Sequence, residues 1–254
     1  VCWGDDSAGQ LGRGGPLPGG AMNPVPAPAA LTSIVAIAAG GRHTCAALDD
    51  GAVWCWGAND AGQLGSAPSA GSSMPVEVVN GAGAPLAAAS LAAGTTHACA
   101  VERDHTLACW GSDVDGELGD GTTAATSLPA AAASLGAHVI AAAAGPHFGC
   151  ALGDDGAVSC FGANDRGQAG QPAGAAVAVP TAVAIDLATA VAAGGTRACA
   201  RRAGGQLECW GDGGGVAAVR DGVGPIAVGA TDACSARAGG VDCAAFGDPH
   251  LACP

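Results

Sequence analysis

The 254-residue chain has no lysine and no tyrosine, only three Phe and five Trp, and 12% charged residues. Its nine basic residues are all arginine and face 22 acidic ones, for a formal net charge of −13. Phosphate recognition needs clustered cations, so the composition argues against a nucleic-acid surface and against duplex DNA as a partner. No apolar run approaches the ~20 residues of a membrane-crossing helix. The alanine-rich stretches 130–144 and 177–193 are interrupted by polar residues, Gly or Pro, and no membrane insertion is expected. The chain also lacks a basic start followed by an apolar segment, so any secretion signal lies outside it. Catalytic signatures are missing too. No serine sits in a G-x-S-x-G elbow, and GDGGGVAA at 211–218 lacks the Lys and the strand-to-helix setting of a phosphate loop. The chain therefore reads as non-enzymatic, with no cofactor.

What it has in quantity is glycine, 44 residues, and cysteine, 12 residues, arranged in a repeat. The triplet CWG or a relative recurs at Cys2, Cys55, Cys109, Cys160 and Cys209, spaced by 53, 54, 51 and 49 residues, with a degenerate VDCAAFG around Cys243. A second signature precedes each complete copy: AAGGRHTCAAL, AAGTTHACAV, AAGPHFGCAL, AAGGTRACAR and AVGATDACSA. Such a period is the mark of a repeat architecture, here a single domain over residues 1–254 built from ~50-residue units.

Within a unit the two cysteines keep a nearly constant interval of about ten: Cys45 and Cys55, Cys99 and Cys109, Cys150 and Cys160, Cys199 and Cys209, Cys234 and Cys243. Turn formers such as Asp49-Asp50-Gly51 and Asp154-Asp155-Gly156 lie between them, flanked by alternating residues, which predicts a tight β-hairpin. Residues equidistant from the turn face each other at a Cα separation that a disulfide can span. Five intra-hairpin disulfides are expected; the alternatives are reduced structural thiols or zinc, which would favour CxxC-like clusters. Disulfides imply an oxidising compartment: secreted, periplasmic or cell-surface.

Cys2 and Cys253 remain. Cys2 matches the second cysteine of a hairpin, and the C-terminal HLAC resembles a first strand, with His250 three residues before Cys253 as His147 is before Cys150. The expectation is that the two terminal strands pair and close a ring, with loss of an upstream strand as the alternative.

The segments Gly41–Leu48 (GRHTCAAL) and Val53–Gly65 (VWCWGANDAGQLG) resemble repeats of the regulator of chromosome condensation family. The likeness is closest in the copies ending near residues 65, 119 and 170 and weak after 211. It implies an all-β fold, a β-propeller of four-stranded blades. The hairpin count gives about six blades, and length divided by repeat gives five. Inner strands are expected at 33–39 and 187–193, outer strands at 74–79 and 180–184, with loops such as GANDAGQLG stitching neighbouring blades together.

His43, His97, His147 and His250, with Arg197 and Asp232 in the other units, form a possible axial ring, read either as local hydrogen bonding or as metal ligation. The acidic loop SDVDGELGDG, with Asp113, Asp115 and Asp120, suggests calcium but lacks the EF-hand register. Trp56, Trp110 and Trp210 recur at one repeat position and are expected to pack between blades. Trp54 is an extra aromatic and a possible partner contact. The resemblance implies a monomeric protein–protein interaction module that uses loops on one propeller face toward an unidentified protein partner. Family members so read include an exchange factor for the GTPase Ran and a secreted inhibitor of β-lactamases. An inhibitor of a secreted enzyme such as a β-lactamase is thus one alternative. Another is an enzyme or ligand- or metal-binding propeller built on the axial His, Asp and Arg residues.

Overall fold

A computed structural model describes residues 1–14, 23–27, 31–132, 134–135, 138–212, 214–221, 224–230, 232–237 and 240–245. The described chain is all-β. A two-stranded sheet, β1 (Cys2–Gly4) and β2 (Asn23–Ala27), is followed by four sheets of four strands. These are β3 (Ile34–Ala39), β4 (His43–Leu48), β5 (Val53–Asn59) and β6 (Ser69–Glu77), then β7 (Ala88–Ala93), β8 (His97–Glu102), β9 (Leu107–Gly111) and β10 (Thr126–Ala131). The next two are β11 (Val139–Ala144), β12 (Phe148–Gly153), β13 (Val158–Gly162) and β14 (Val177–Ala182), then β15 (Ala188–Gly194), β16 (Arg197–Arg202), β17 (Gln206–Gly211) and β18 (Gly214–Asp221). A three-stranded sheet of β19 (Ile226–Val228), β20 (Asp232–Arg237) and β21 (Gly240–Ala245) completes the described set.

Every sheet is an antiparallel meander, and the first strands β3, β7, β11, β15 and β19 pack one against the next in sequence order. That is the blade arrangement of a β-propeller. The inner strands are alanine-rich because they crowd together. In four of them the register slips by one residue, at Val35, Ala89, Ile140 and Thr189, and each slipped residue is exposed. A bulge turns its side chain out of the sheet and bends the strand. Outer strands begin earlier than the sequence suggests: β6 at Ser69 rather than 74, β14 at Val177 rather than 180. Both contain a proline, Pro75 and Pro180, which an outermost strand tolerates because one of its edges needs no N–H.

The hairpins carry the predicted bridges. Cys45–Cys55, Cys99–Cys109, Cys150–Cys160, Cys199–Cys209 and Cys234–Cys243 are disulfides between directly opposed residues, with Cα separations of 4.0–4.1 Å. Second strands are buried along nearly their whole length, so the core lies between blades. The Cys45–Cys55 bridge packs in one cluster with Trp110 of the following blade, Cys99–Cys109 with Phe161, and Cys150–Cys160 with Trp210. The repeated aromatic therefore packs between blades, as expected. Cys253 and His250 lie outside the described residues, and with them the expected pairing of the terminal strands.

Candidate functional site

Turns between first and second strands and loops between third and fourth strands share one face of the propeller. The Ala58, Ser112 and Ala163 N–H groups donate to the Arg42, Thr96 and His147 carbonyls at 2.8–2.9 Å, tying each loop to the turn beside it. Four of these loops, beginning at Gly4, Gly57, Gly111 and Gly162, share one internal frame. A buried Asn or Asp accepts the N–H five residues on, from Asp6 to Leu11, Asn59 to Leu64, Asp113 to Leu118 and Asn164 to Ala169, at 2.9–3.2 Å. Gln10, Gln63, Glu117 and Gln168 each accept the N–H two residues back, at 2.7–2.9 Å. The indoles of Trp56, Trp110 and Trp210 donate to the Gln10, Gln63 and Gln168 carbonyls of the preceding loop, at 2.8–3.0 Å. All four loops are thus held by bonds within themselves, and three of them also by an indole from the next blade, while at the loop of Asp113 the corresponding residue, Phe161, packs on Leu118. What varies is the tip dipeptide: Ser7-Ala8, Asp60-Ala61, Val114-Asp115 and Asp165-Arg166.

The axial ring takes a different form from the one expected. His43 and His97 hold one register position on β4 and β8, two residues before a bridging cysteine, and both are buried with neither ring nitrogen hydrogen-bonded. In the next blade that position is Phe148, also buried. His147 is one residue earlier, and because strand side chains alternate it emerges on the loop face, half-exposed. The count from cysteine is three for His147 and two for His43 and His97, so His147 does not share their register position in the expected ring. Arg197 does occupy the shared position, where it pairs with Asp212 at 2.8 Å, and Asp232 is exposed on β20. Burial pushes the His43 imidazole down to about 4. It pushes His97 to about 3, with the imidazoles of His43 and His147 adding to the effect. Trp54 lies within β5 between Ala46 and Glu77, partly buried with its indole N–H enclosed, away from the loop tips.

His147 meets the acidic loop instead. Its Nδ1 stands 3.5 Å from Glu117 Oε1 and 3.7 Å from Asp115 Oδ2, and these are the residues among those described whose donor atoms could converge on a metal ion. A cleft of about 400 Å³ opens beside them, lined by Asp115, His147, Phe148, Asp165, Gln168 and Thr196. Asp113 points inward, accepting from Leu118 N–H. Burial first, then the charges of Asp120 and Glu117, raise its carboxyl to about 6. The sequence flags both the loop and the histidine, but the thirty residues between them conceal their contact.

Two family models, both described as Regulator of chromosome condensation (RCC1) repeat, match the chain. One covers residues 34–63 and 139–168, the other 2–47 and 50–101, which together take in about half of it. RCC1 domain-containing protein RUG3, mitochondrial, of Arabidopsis thaliana is 30% identical over 190 residues, 70% of this chain and 42% of that protein. The chain spans less than half the length of the curated relatives it matches. Human WBSCR16 superposes with a TM-score of 0.81 at 21% identity, covering 98% of this chain and 76% of its own. Yeast RCC1 (Prp20), solved with Kap60 bound, gives 0.58 at 19% identity, covering 97% and 78%. At such identities these structures speak for the fold.

Proposed function

The chain belongs to the regulator of chromosome condensation repeat family, and from that premise we propose that it is a non-enzymatic, monomeric protein-binding module of an oxidising compartment, secreted, periplasmic or cell-surface, which engages its partner through the loop tips of one propeller face. The observation that carries this reading is the loop frame: buried bonds fix the backbone identically in four loops, while the exposed tip dipeptide differs in each. A rigid scaffold with variable tips presents recognition chemistry at little ordering cost. The five disulfides support the compartment. A neighbour of this fold, yeast RCC1 (Prp20), is solved with a protein, Kap60, bound to it, which is in keeping with a protein-binding role. Inhibition of a secreted enzyme such as a β-lactamase is a special case of the same reading.

Affinity capture from an extracellular fraction tests it, with a variant altered at four tips (Ser7→Gly, Asp60→Asn, Val114→Ala, Arg166→Ala), the asparagine keeping the acceptor that Gln63 uses, beside one altered on the opposite face (Asp50→Asn, Asp104→Asn, Asp155→Asn). The asparagines preserve the acceptors that the turn N–H groups of Ala52, Thr106 and Ala157 use. The tip variant should lose the partner and the opposite-face variant should keep it. The reverse result overturns the choice of face. A monomer by light scattering is expected throughout.

A further inference from the structure

The loop between β9 and β10 differs from its three sisters in a correlated way. They carry glutamine where it carries Glu117, and Gln63 and Gln168 use both ends of the amide, accepting from the loop backbone and donating to Asp60 and Asp165 at 2.8–2.9 Å. In this loop the acceptor aspartate is replaced by Val114, 69% exposed, so the donor and its partner are lost together. Glu117 keeps only the accepting half. Its Oε2 takes the Asp115 N–H at 2.7 Å, and the Ser112 hydroxyl lies 3.3 Å from Oε1. The Glu117 side chain is completely buried, and its ion-pair contact among the described residues is His147. A carboxylate buried without a matching cation is strongly unfavourable.

Geometry points to what matches it. At 3.5 and 3.7 Å, His147 Nδ1 is too far from the two carboxylates for a good hydrogen bond. Those separations approach the ~3.3 Å between neighbouring donors of a tetrahedral ion with bonds of ~2.0–2.1 Å. All three donor atoms lie within 4.8 Å of one another, and the cleft at Asp115 and His147 gives access from solvent. One nitrogen with two carboxylate oxygens suits a first-row transition ion better than calcium or magnesium, which prefer all-oxygen shells. Asp115 N–H and Ser112 Oγ orient the Glu117 carboxylate as outer-shell partners do.

We propose that Asp115, Glu117 and His147 form a binding site for one divalent transition ion of the zinc class, joining the loop of one blade to the turn of the next. The ion would leave a coordination position open to the cleft, for water or a donor from a bound protein. The test is titration of the oxidised, chelator-treated protein with zinc by calorimetry and with cobalt(II) by visible absorption. Wild type should bind one equivalent, with a cobalt ligand-field band and a zinc-dependent rise in Tm. Glu117→Gln keeps an acceptor for the Asp115 N–H, and its amide can donate to the Ser112 hydroxyl in place of the missing aspartate, so the fold should tolerate it, and His147→Ala alters a half-exposed side chain. Each should weaken zinc binding at least tenfold, abolish the cobalt band and remove the Tm rise. Absence of saturable binding, or wild-type affinity in both variants, overturns the site. Either result leaves the protein-binding reading standing, since loop-tip recognition does not require the ion.

Discussion

At the scale of single residues, two buried histidines stand out among the described residues as groups whose polar atoms are unmatched. His43 and His97 are enclosed with no hydrogen-bond partner for either nitrogen, and both titrate far below the ordinary imidazole range. Between about pH 3–4 and 6.5 the unfolded chain therefore holds protons that the folded chain does not, and stability falls as pH drops through that window. Charges facing the pair are Asp60 near His43 and the His147 imidazole near His97. Phe148, at the same register one blade on, indicates which side chain the site accepts. His97→Phe, with no metal added, should remove about 2–3 kcal/mol of the loss between pH 7 and 4.5, roughly 5–10 °C in Tm. Thermal melts at the two pH values check this, and an unchanged difference would place the acid sensitivity elsewhere. The sequence shows these histidines but not their depth. His147 stands three residues before its cysteine, as His250 does, whereas His43 and His97 stand two before theirs, so the count in the sequence itself sets His147 apart from them.

Hairpin register was the most legible feature at the scale of strands and loops, because Cys, turn and Cys recur at fixed intervals and the pairing follows by symmetry about the turn. Inner-strand positions were readable to within a residue, Ile34 for 33 and Ala188 for 187. Outer strands were not. Their pairing passes through register shifts that no local pattern announces, as between Cys55 and Gly57. The glycine that ends each CWG triplet shows what the repeat protects. Gly111 has φ +107°, and a Cβ there would stand 2.5 Å from the Thr96 carbonyl oxygen of its own blade. Gly57 and Gly211 stand in the same relation to Arg42 and Thr196. The residue must leave the hairpin in a backbone conformation that side chains rarely adopt, while passing against the turn whose carbonyl accepts the next residue's N–H. Gly111→Ala should accordingly cost ~3 kcal/mol or more, with Gly81→Ala, in open space, as the near-neutral control. Denaturant midpoints of the two variants would show the contrast, and equal midpoints would contradict it.

For the whole molecule, the disulfides and the interblade aromatics divide the work of stability. No described bridge joins two blades; each closes a hairpin of about ten residues within its own. On the chain-entropy account one such loop contributes about 2–3 kcal/mol, so five are comparable to the ~5–15 kcal/mol net stability of a typical domain. The blades are held to one another by contacts made on the bridges themselves, Trp110 on Cys45–Cys55, Phe161 on Cys99–Cys109 and Trp210 on Cys150–Cys160. Loss of a bridge thus loosens a hairpin and the surface its neighbour packs on. The bridges differ in access. Those from Cys45 to Cys209 are buried in the core, whereas Cys234–Cys243, in the three-stranded sheet, is partly exposed. A reductant added to the native protein should therefore open Cys234–Cys243 first, with a small loss of Tm, while the other four survive until their blades separate. They should then go together, because opening one interface uncovers the next bridge. Timed alkylation with peptide mapping would reveal the order, and the fully reduced chain should not regain its native circular dichroism unless reoxidised. Reduction of all five at one rate would mean that global unfolding, not local access, exposes the sulfurs. A reduced chain that refolds unaided would mean that the aromatic interfaces suffice and the bridges contribute little.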